Sequence, residues 1–294
     1  MRQRQFVIRG LSYTFLIVAS SIMFYPLLYM ILGIFTTNEQ FVRSVILPIP
    51  NTLNLDVFWR AINSGIASAY VNTLVRVAFY LVVNLGVGLV GGFIFSKMQF
   101  PGRNRVFLLF LAGMVMPGLL VLVPTYLMMA WWPNTGGNNW FGQGGHGLIN
   151  DIRVLYIGGW VPPFAIFLLK QSFDMLPNEY GEAAKIDGAG IWTIIFRVYA
   201  PLLKPPLVVL TVFTFFGIWN DYLWPQLTIN GLDKFYPIML RYQQVVQTDV
   251  SPSGQLIYPS VFIKTLLAGW PPALVYFLLQ RYFVQGLVAS GIKG

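Results

Sequence analysis

The chain has 294 residues, of which 56% are hydrophobic and 10% charged, against roughly 25% charged in an ordinary soluble domain. That imbalance excludes disorder and argues against a soluble globule, whose surface needs more charge. Lys and Arg number 19 and Asp and Glu 10; in a lipid-embedded chain this excess marks loops facing anionic lipid rather than a nucleic-acid surface, and with no cysteine there is no disulfide framework or thiolate metal site.

Gaps between charges predict an all-α, polytopic membrane protein with six transmembrane helices at about 11–34, 71–96, 106–130, 153–172, 205–228 and 260–281. Each supplies the roughly 20 residues that a bilayer requires, provided its occasional polar residues face protein. The first follows Arg2, Arg4 and Arg9 in the manner of a signal peptide. Its apolar run is too long for one and no small-residue cleavage pattern follows, so a retained helix is expected. Six spans place both termini on one side. That side holds twelve Lys and Arg and the opposite side six, with Arg76 inside the second span. Both termini are therefore expected in the cytoplasm.

Within the second span, Gly88 and Gly92 have the spacing that lets helices approach closely. Packing within the chain and contact with a second membrane subunit are both open. The loop 131–151 is rich in Trp, Gly and Asn and is expected outside. Trp131 and Trp132 read as interfacial anchors, Trp140 is undecided, and the single histidine, His146, has no cluster of ligands around it, so no metal site is expected. Met114, Met116, Met128 and Met129 read as gap-fillers.

The expected internal loop, 173–204, carries the most informative stretch. Asn178 is placed to cap a helix that has Glu179 in its first turn and Glu182 one turn on. Ala183 and Ala184 favour helix and leave a small face. Gly188 and Gly190 permit a sharp turn, an apolar segment from Ile191 to Val198 follows, and Pro201 and Pro205 break it. The product is a short helix, a turn and a second helix beneath the membrane.

Glu182-Ala183-Ala184, Asp187-Gly188-Ala189, Phe196, Pro201-Leu202 and Pro205 resemble the EAA loop of ABC importer permeases. Trp219 through Pro225, Asn72-Thr73-Leu74 and the ending from Gln280 to Gly294 resemble the carbohydrate-importer branch, in particular the maltose-type second permease. The segment 131–146 departs from that pattern as an enlargement. The resemblance implies that the loop is a cytoplasmic coupling helix seated in a cleft of an ATPase subunit. Glu182, Ala183, Ala184, Asp187, Gly188 and Ala189 would then make the coupling contact. It also implies a bacterial inner-membrane location and a heteromeric assembly with a second homologous permease, two cytoplasmic ATPase subunits and an extracytoplasmic solute-binding protein. The implied cargo is a carbohydrate, with a polyol, glycerol phosphate or compatible solute as the alternative.

No GxxxxGK[ST] phosphate cradle occurs in the chain. No cofactor is expected in it, and ATP with magnesium would bind the ATPase chains. Nothing in the sequence suggests an enzyme. Candidates for the substrate path are Asn72, Arg76, Asn220, Asp221, Tyr222 and Trp224, with Asn84 and Gln226 as weaker ones. Charges in a span are costly and mark function or pairing, so an interfacial anchor or ion pair is the competing reading for Arg76. Asp221 lies among aromatic faces that suit a sugar, at a break enforced by Pro225; packing within the chain and a place on the substrate path are both open for this segment. Tyr242, Gln243 and Gln244 are candidate contacts for the solute-binding protein.

Overall fold

The computed structural model describes residues 2–44, 46–51, 55–158, 162–251 and 254–291. Lys293 and Gly294, the end of the resembling C-terminal segment, lie outside the described residues. Among those described the architecture is helical, with one isolated bridge between Val250 and Leu256. The helices are α1 (Arg2–Ile34), α2 (Asn38–Arg43), α3 (Asp56–Ala61), α4 (Ala67–Lys97), α5 (Arg103–Val115), α6 (Gly118–Ala130), α7 (Val154–Ile157), α8 (Pro163–Asp174), α9 (Glu179–Ile186), α10 (Ile191–Thr193), α11 (Ala200–Leu202), α12 (Lys204–Trp219), α13 (Leu223–Thr228), α14 (Ile238–Thr248) and α15 (Tyr258–Gly291).

Three helical stretches are long and apolar enough to cross a bilayer: Arg9–Ile34, Asp56–Lys97, which is kinked at Gly65 (φ +82°), and Tyr258–Gln280. Two bent pairs qualify as further spans if each pair is taken together. The third expected span is one of them, because α5 and α6 meet at 102°. Met116 precedes Pro117 and is driven out of the helical region to ψ 120°, as the proline ring requires. The second pair joins Ile191–Leu202 to α12 at 88°, where Leu203 lies between Pro201 and Pro205. The fourth expected stretch is also not one helix. Its regular part, α8, has 12 residues, about 18 Å of rise. It starts on Pro163, which has no N–H to lose at a helix start, and residues 159–161 lie outside the described residues.

The chain divides into two compact units. The first comprises Met1–Ala67 and Tyr242–Trp270. Its core joins Ile34, Val57, Ala61 and Ile263, and rings of Tyr29, Phe41, Tyr258 and Phe262 pack edge-on or tilted nearby. Lys264, expected among the external cations, is buried. It pairs with Asp249, which also accepts a hydrogen bond from Ser260 at 2.5 Å. The side chains of α1 are largely exposed, Phe15 by 72% and Met23 by 81%. A helix this apolar and this uncovered fits a lipid surroundings.

The second unit comprises Ser68–Arg241 and Pro271–Gly294 and is organised on α4. Every fourth residue of that helix, Asn72, Arg76, Tyr80, Asn84, Gly88, Gly92 and Ser96, is buried or half-buried. Such an i+4 row is one ridge of a helix surface. Its small half meets α8: a Cβ on Gly88 would lie 3.0 Å from Leu169 Cδ1, and one on Gly92 would lie 2.9 Å from the Lys170 backbone nitrogen. The glycine spacing is thus used inside the chain. Around it Leu89, Phe93, Ala165, Leu169, Phe173, Ile194, Ile195, Tyr199, Leu203 and Leu210 form one core. A second core gathers Met129, Leu148, Ile149, Val154, Leu155, Ile229, Tyr236 and Leu240.

The loop 131–151 closes over the second core. Asn138 Nδ2 donates to the carbonyls of Ala130 and Trp132, and its Oδ1 accepts from Gly145 N–H. Gly142 sits at φ +75°, and a Cβ there would collide with the Trp131 carbonyl oxygen at 2.2 Å. Trp131, Trp140 and Phe141 remain exposed, whereas Trp132, expected as an anchor, is half-buried against the core.

Gly92→Ala is expected to destabilise the chain by about 1–3 kcal/mol, the usual range for overpacking, because backbone atoms of α8 fill the site. Gly86→Ala, with nothing within 4 Å of the added carbon, is expected to leave the midpoint unchanged or raise it. Thermal unfolding of the detergent-purified protein compares the two.

Candidate functional site: the ion-paired helix break and the internal loop

The polar half of the α4 ridge holds irregular backbone. Asn72 Nδ2 donates to the carbonyls of Lys234 (2.8 Å) and Tyr236 (3.2 Å), and the neighbouring Thr73 Oγ1 accepts from Ile238 N–H at 2.7 Å. One turn on, Arg76 is 3% exposed. Its Nη2 donates to Asp221 Oδ2 at 2.5 Å and its Nε to the Leu155 carbonyl at 3.3 Å, while its Nη1 has no hydrogen-bond partner. Another turn on, Tyr80 Oη donates toward the carbonyls of Leu155 and Gly158. Asn84 Nδ2 then donates to Thr214 Oγ1 at 3.1 Å.

Asp221 follows the end of α12 and precedes α13. Its second oxygen accepts from the Trp224 N–H at 3.4 Å, and Trp224 Nε1 donates to the Val154 carbonyl at 3.3 Å. The structure therefore brings Arg76, Asp221 and Trp224 into one network with the 154–158 segment. Asn220 and Tyr222 stand beside it with exposed side chains. Asn72 belongs to the same ridge but is occupied by the 234–236 backbone. Sequence reasoning singles out Asn72, Arg76 and Asn84 separately, includes Thr73 only within the resembling Asn72-Thr73-Leu74 triplet, and passes over Tyr80. The four-residue spacing through the second span is the signal that finds Tyr80.

At the other end of the unit, α9 runs from Glu179 to Ile186. Gly188 takes φ +80°, and the helix end is closed by Asp187 N–H to the Ala183 carbonyl and Ala189 N–H to the Ala184 carbonyl. A left-handed residue at this position is the usual helix stop. Glu182, Ala183, Lys185, Ile186, Asp187 and Gly188 are exposed, Ile186 by 87%. Ala184 and Ala189 pack on the first core instead. The six candidate coupling residues thus fall in two triplets either side of Lys185 and Ile186, with four of them outward and two braced.

Asn178 does not cap α9. Its backbone is helical and it makes no side-chain cap bond, because its Oδ1 accepts from Lys97 Nζ at 2.8 Å. Lys97 and Ser96 were missed as well; both close α4. Ser96 Oγ donates to Asp174 Oδ1 at 2.6 Å, and Lys170 pairs with the same carboxylate at 2.7 Å. Burial pushes the Asp174 carboxyl up, but the bonds from Lys170 and Ser96 and the charges of Lys170 and Lys97 hold it below the ordinary range. Of the external candidates, Tyr242 is engaged with Thr265, hydroxyl to hydroxyl at 2.8 Å.

A family model described as "Binding-protein-dependent transport system inner membrane component" matches residues 84–288. The lactose transport system permease protein of Rhizobium radiobacter is 26% identical over 288 residues, covering 95% of this chain and 94% of that protein. The maltodextrin transport system permease protein of Bacillus subtilis (strain 168) is 29% identical over 284 residues, covering 96% and 95%. The fold is similar to a chain in the crystal structure of a bacterial ABC transporter involved in the import of the acidic polysaccharide alginate. The TM-score is 0.76 at 20% identity, with 94% and 96% of the two chains covered.

Removing one member of a buried ion pair costs about 3–5 kcal/mol, and replacing both by apolar residues costs much less. Asp221→Ala is therefore expected to lower the unfolding midpoint more than the double change Arg76→Met with Asp221→Leu. Thermal unfolding of the three purified chains checks the order.

Proposed function

Since this chain belongs to the binding-protein-dependent transport system inner membrane component family, we propose that it is the permease subunit of an ATP-driven importer of an oligosaccharide. A solute-binding protein delivers the sugar, a second homologous permease completes the pathway, and two ATPase subunits on the cytoplasmic side drive it. Both termini lie in the cytoplasm. ATP and magnesium bind the ATPase chains.

The observation that carries this reading is the exposed helix–turn of 179–190, closed at Gly188 and backed by the first core. Exposed carboxylates of Glu182 and Asp187 flank the bare Ile186 side chain. An apolar knob rimmed by charge is the composition of a protein docking surface, and it fits a groove on the ATPase. The backing by Phe93, Ile194 and Tyr199 makes the loop a stiff lever. The likeness to lactose and maltodextrin permeases supports an oligosaccharide cargo.

In the pathway, Asn220 and Tyr222 offer an amide and a ring face to sugar hydroxyls and C–H surfaces. Asp221, Trp224 and Arg76 shape the break that presents them, and Asn72 fixes the segment 234–236 beside it.

Gly188→Val tests the lever. A branched residue at φ +80° is strained by about 1–3 kcal/mol, yet an added Cβ meets nothing within 4 Å, so the effect stays in the turn. Uptake of labelled maltodextrin or lactose by proteoliposomes holding the full assembly is expected to fall at least about tenfold in Gly188→Val and in Glu182→Lys. Unchanged uptake in both contradicts the coupling role.

A further inference from the structure

We infer that Lys97 is a positioning residue that ties the cytoplasmic end of α4 to the corner between α8 and α9, so that a displacement of the coupling helix pulls the long helix directly. This rests on the coupling reading above. The corner is Met175-Leu176-Pro177-Asn178. Proline has no N–H to donate, and the carbonyls at a helix end lack intrahelical partners. Lys97 Nζ bridges the proline, donating to the Leu176 carbonyl at 2.6 Å on one side and to Asn178 Oδ1 at 2.8 Å on the other. A lysine in the last position of a helix also meets the negative end of its dipole.

Three further contacts fix the same corner. Ser96 holds Asp174. The Tyr199 hydroxyl lies 3.5 Å from the Pro177 carbonyl, and the Tyr199 ring lies 6.0 Å from the Lys97 ammonium. Ala184 of α9 packs on the first core, while a cavity of about 400 Å³ lies beside it, lined by Phe93 and Lys97 of α4 and by Gly181, Glu182 and Lys185 of α9. At its edge Lys97 makes a polar connection from α4 to Asn178, the residue that leads into α9. The helix it closes is the one whose other half holds Asp221, Leu155 and Gly158 through Arg76 and Tyr80. Force applied to α9 thus reaches the far end of the unit along a single helix, without passing through α8.

The test measures solute taken up per ATP hydrolysed in proteoliposomes containing the complete assembly. Losing a charged hydrogen bond at the corner is expected to lower that ratio about tenfold in Lys97→Met. Lys97→Arg, which keeps the charge and the donors, is expected to stay close to the parent. A ratio unchanged in Lys97→Met overturns the inference, since a merely structural lysine lowers uptake and hydrolysis together with the amount of assembled complex. If Lys97→Met does not assemble, Asn178→Ala removes one of the two acceptors; a smaller fall in the ratio supports the inference and an unchanged ratio overturns it. Parent assemblies that hydrolyse ATP but take up no sugar instead overturn the transport reading itself.

Discussion

Hydrocarbon offers no hydrogen bonds, so every polar group carried into it needs a partner in the protein. In the second unit that constraint falls largely on one ridge of α4. The ridge meets it by binding the segments where helix gives way to irregular backbone. Arg76 and Tyr80 satisfy the carbonyls of Leu155 and Gly158, Arg76 holds the carboxylate that follows α12, and Asn72 takes the carbonyls of 234 and 236. The breaks are tolerable because α4 supplies the bonds that helix would have supplied. The same helix then changes character: Gly88 and Gly92 let α8 approach, and Ser96 and Lys97 grip its end.

This division of labour links packing to function. A unit whose two ends hang on one continuous helix transmits a displacement with little loss, because close-packed cores deform little. On the proposed reading, the loop 179–190 is the input surface. Its outward residues are charged or bare, and its inward ones, Ala184 and Ala189, are small enough to sit on the core. The apolar segment after Gly190 braces it through Ile194, Ile195 and Tyr199.

Much of this was legible in the residues. Charge gaps reveal a membrane protein, and the Glu182-to-Pro205 spacing reveals the helix, the turn at Gly188 and the second segment. Pro117 and Pro163 foretell breaks that span-counting smooths over. What was not legible is who pairs with whom. Arg76 and Asp221 are 145 residues apart, and a lone charge in a span reads equally as anchor, ion pair or path. Asn178 reads as a helix cap by local chemistry. A lysine 81 residues away takes its oxygen instead, a tertiary contact overriding a local preference. The four-residue period of α4 was present, but it passes through Tyr80, which draws no notice beside charged and amide neighbours.

The lack of native cysteine gives the central claim a direct measurement. Ile186→Cys places one thiol at the tip of the exposed helix. With a single cysteine introduced in the facing groove of the ATPase subunit, disulfide cross-linking in the assembled complex is predicted to be efficient and to change in yield when ATP is bound. A thiol at 186 that reacts only with lipid-soluble reagents and never cross-links to the ATPase, in any nucleotide state, contradicts the account.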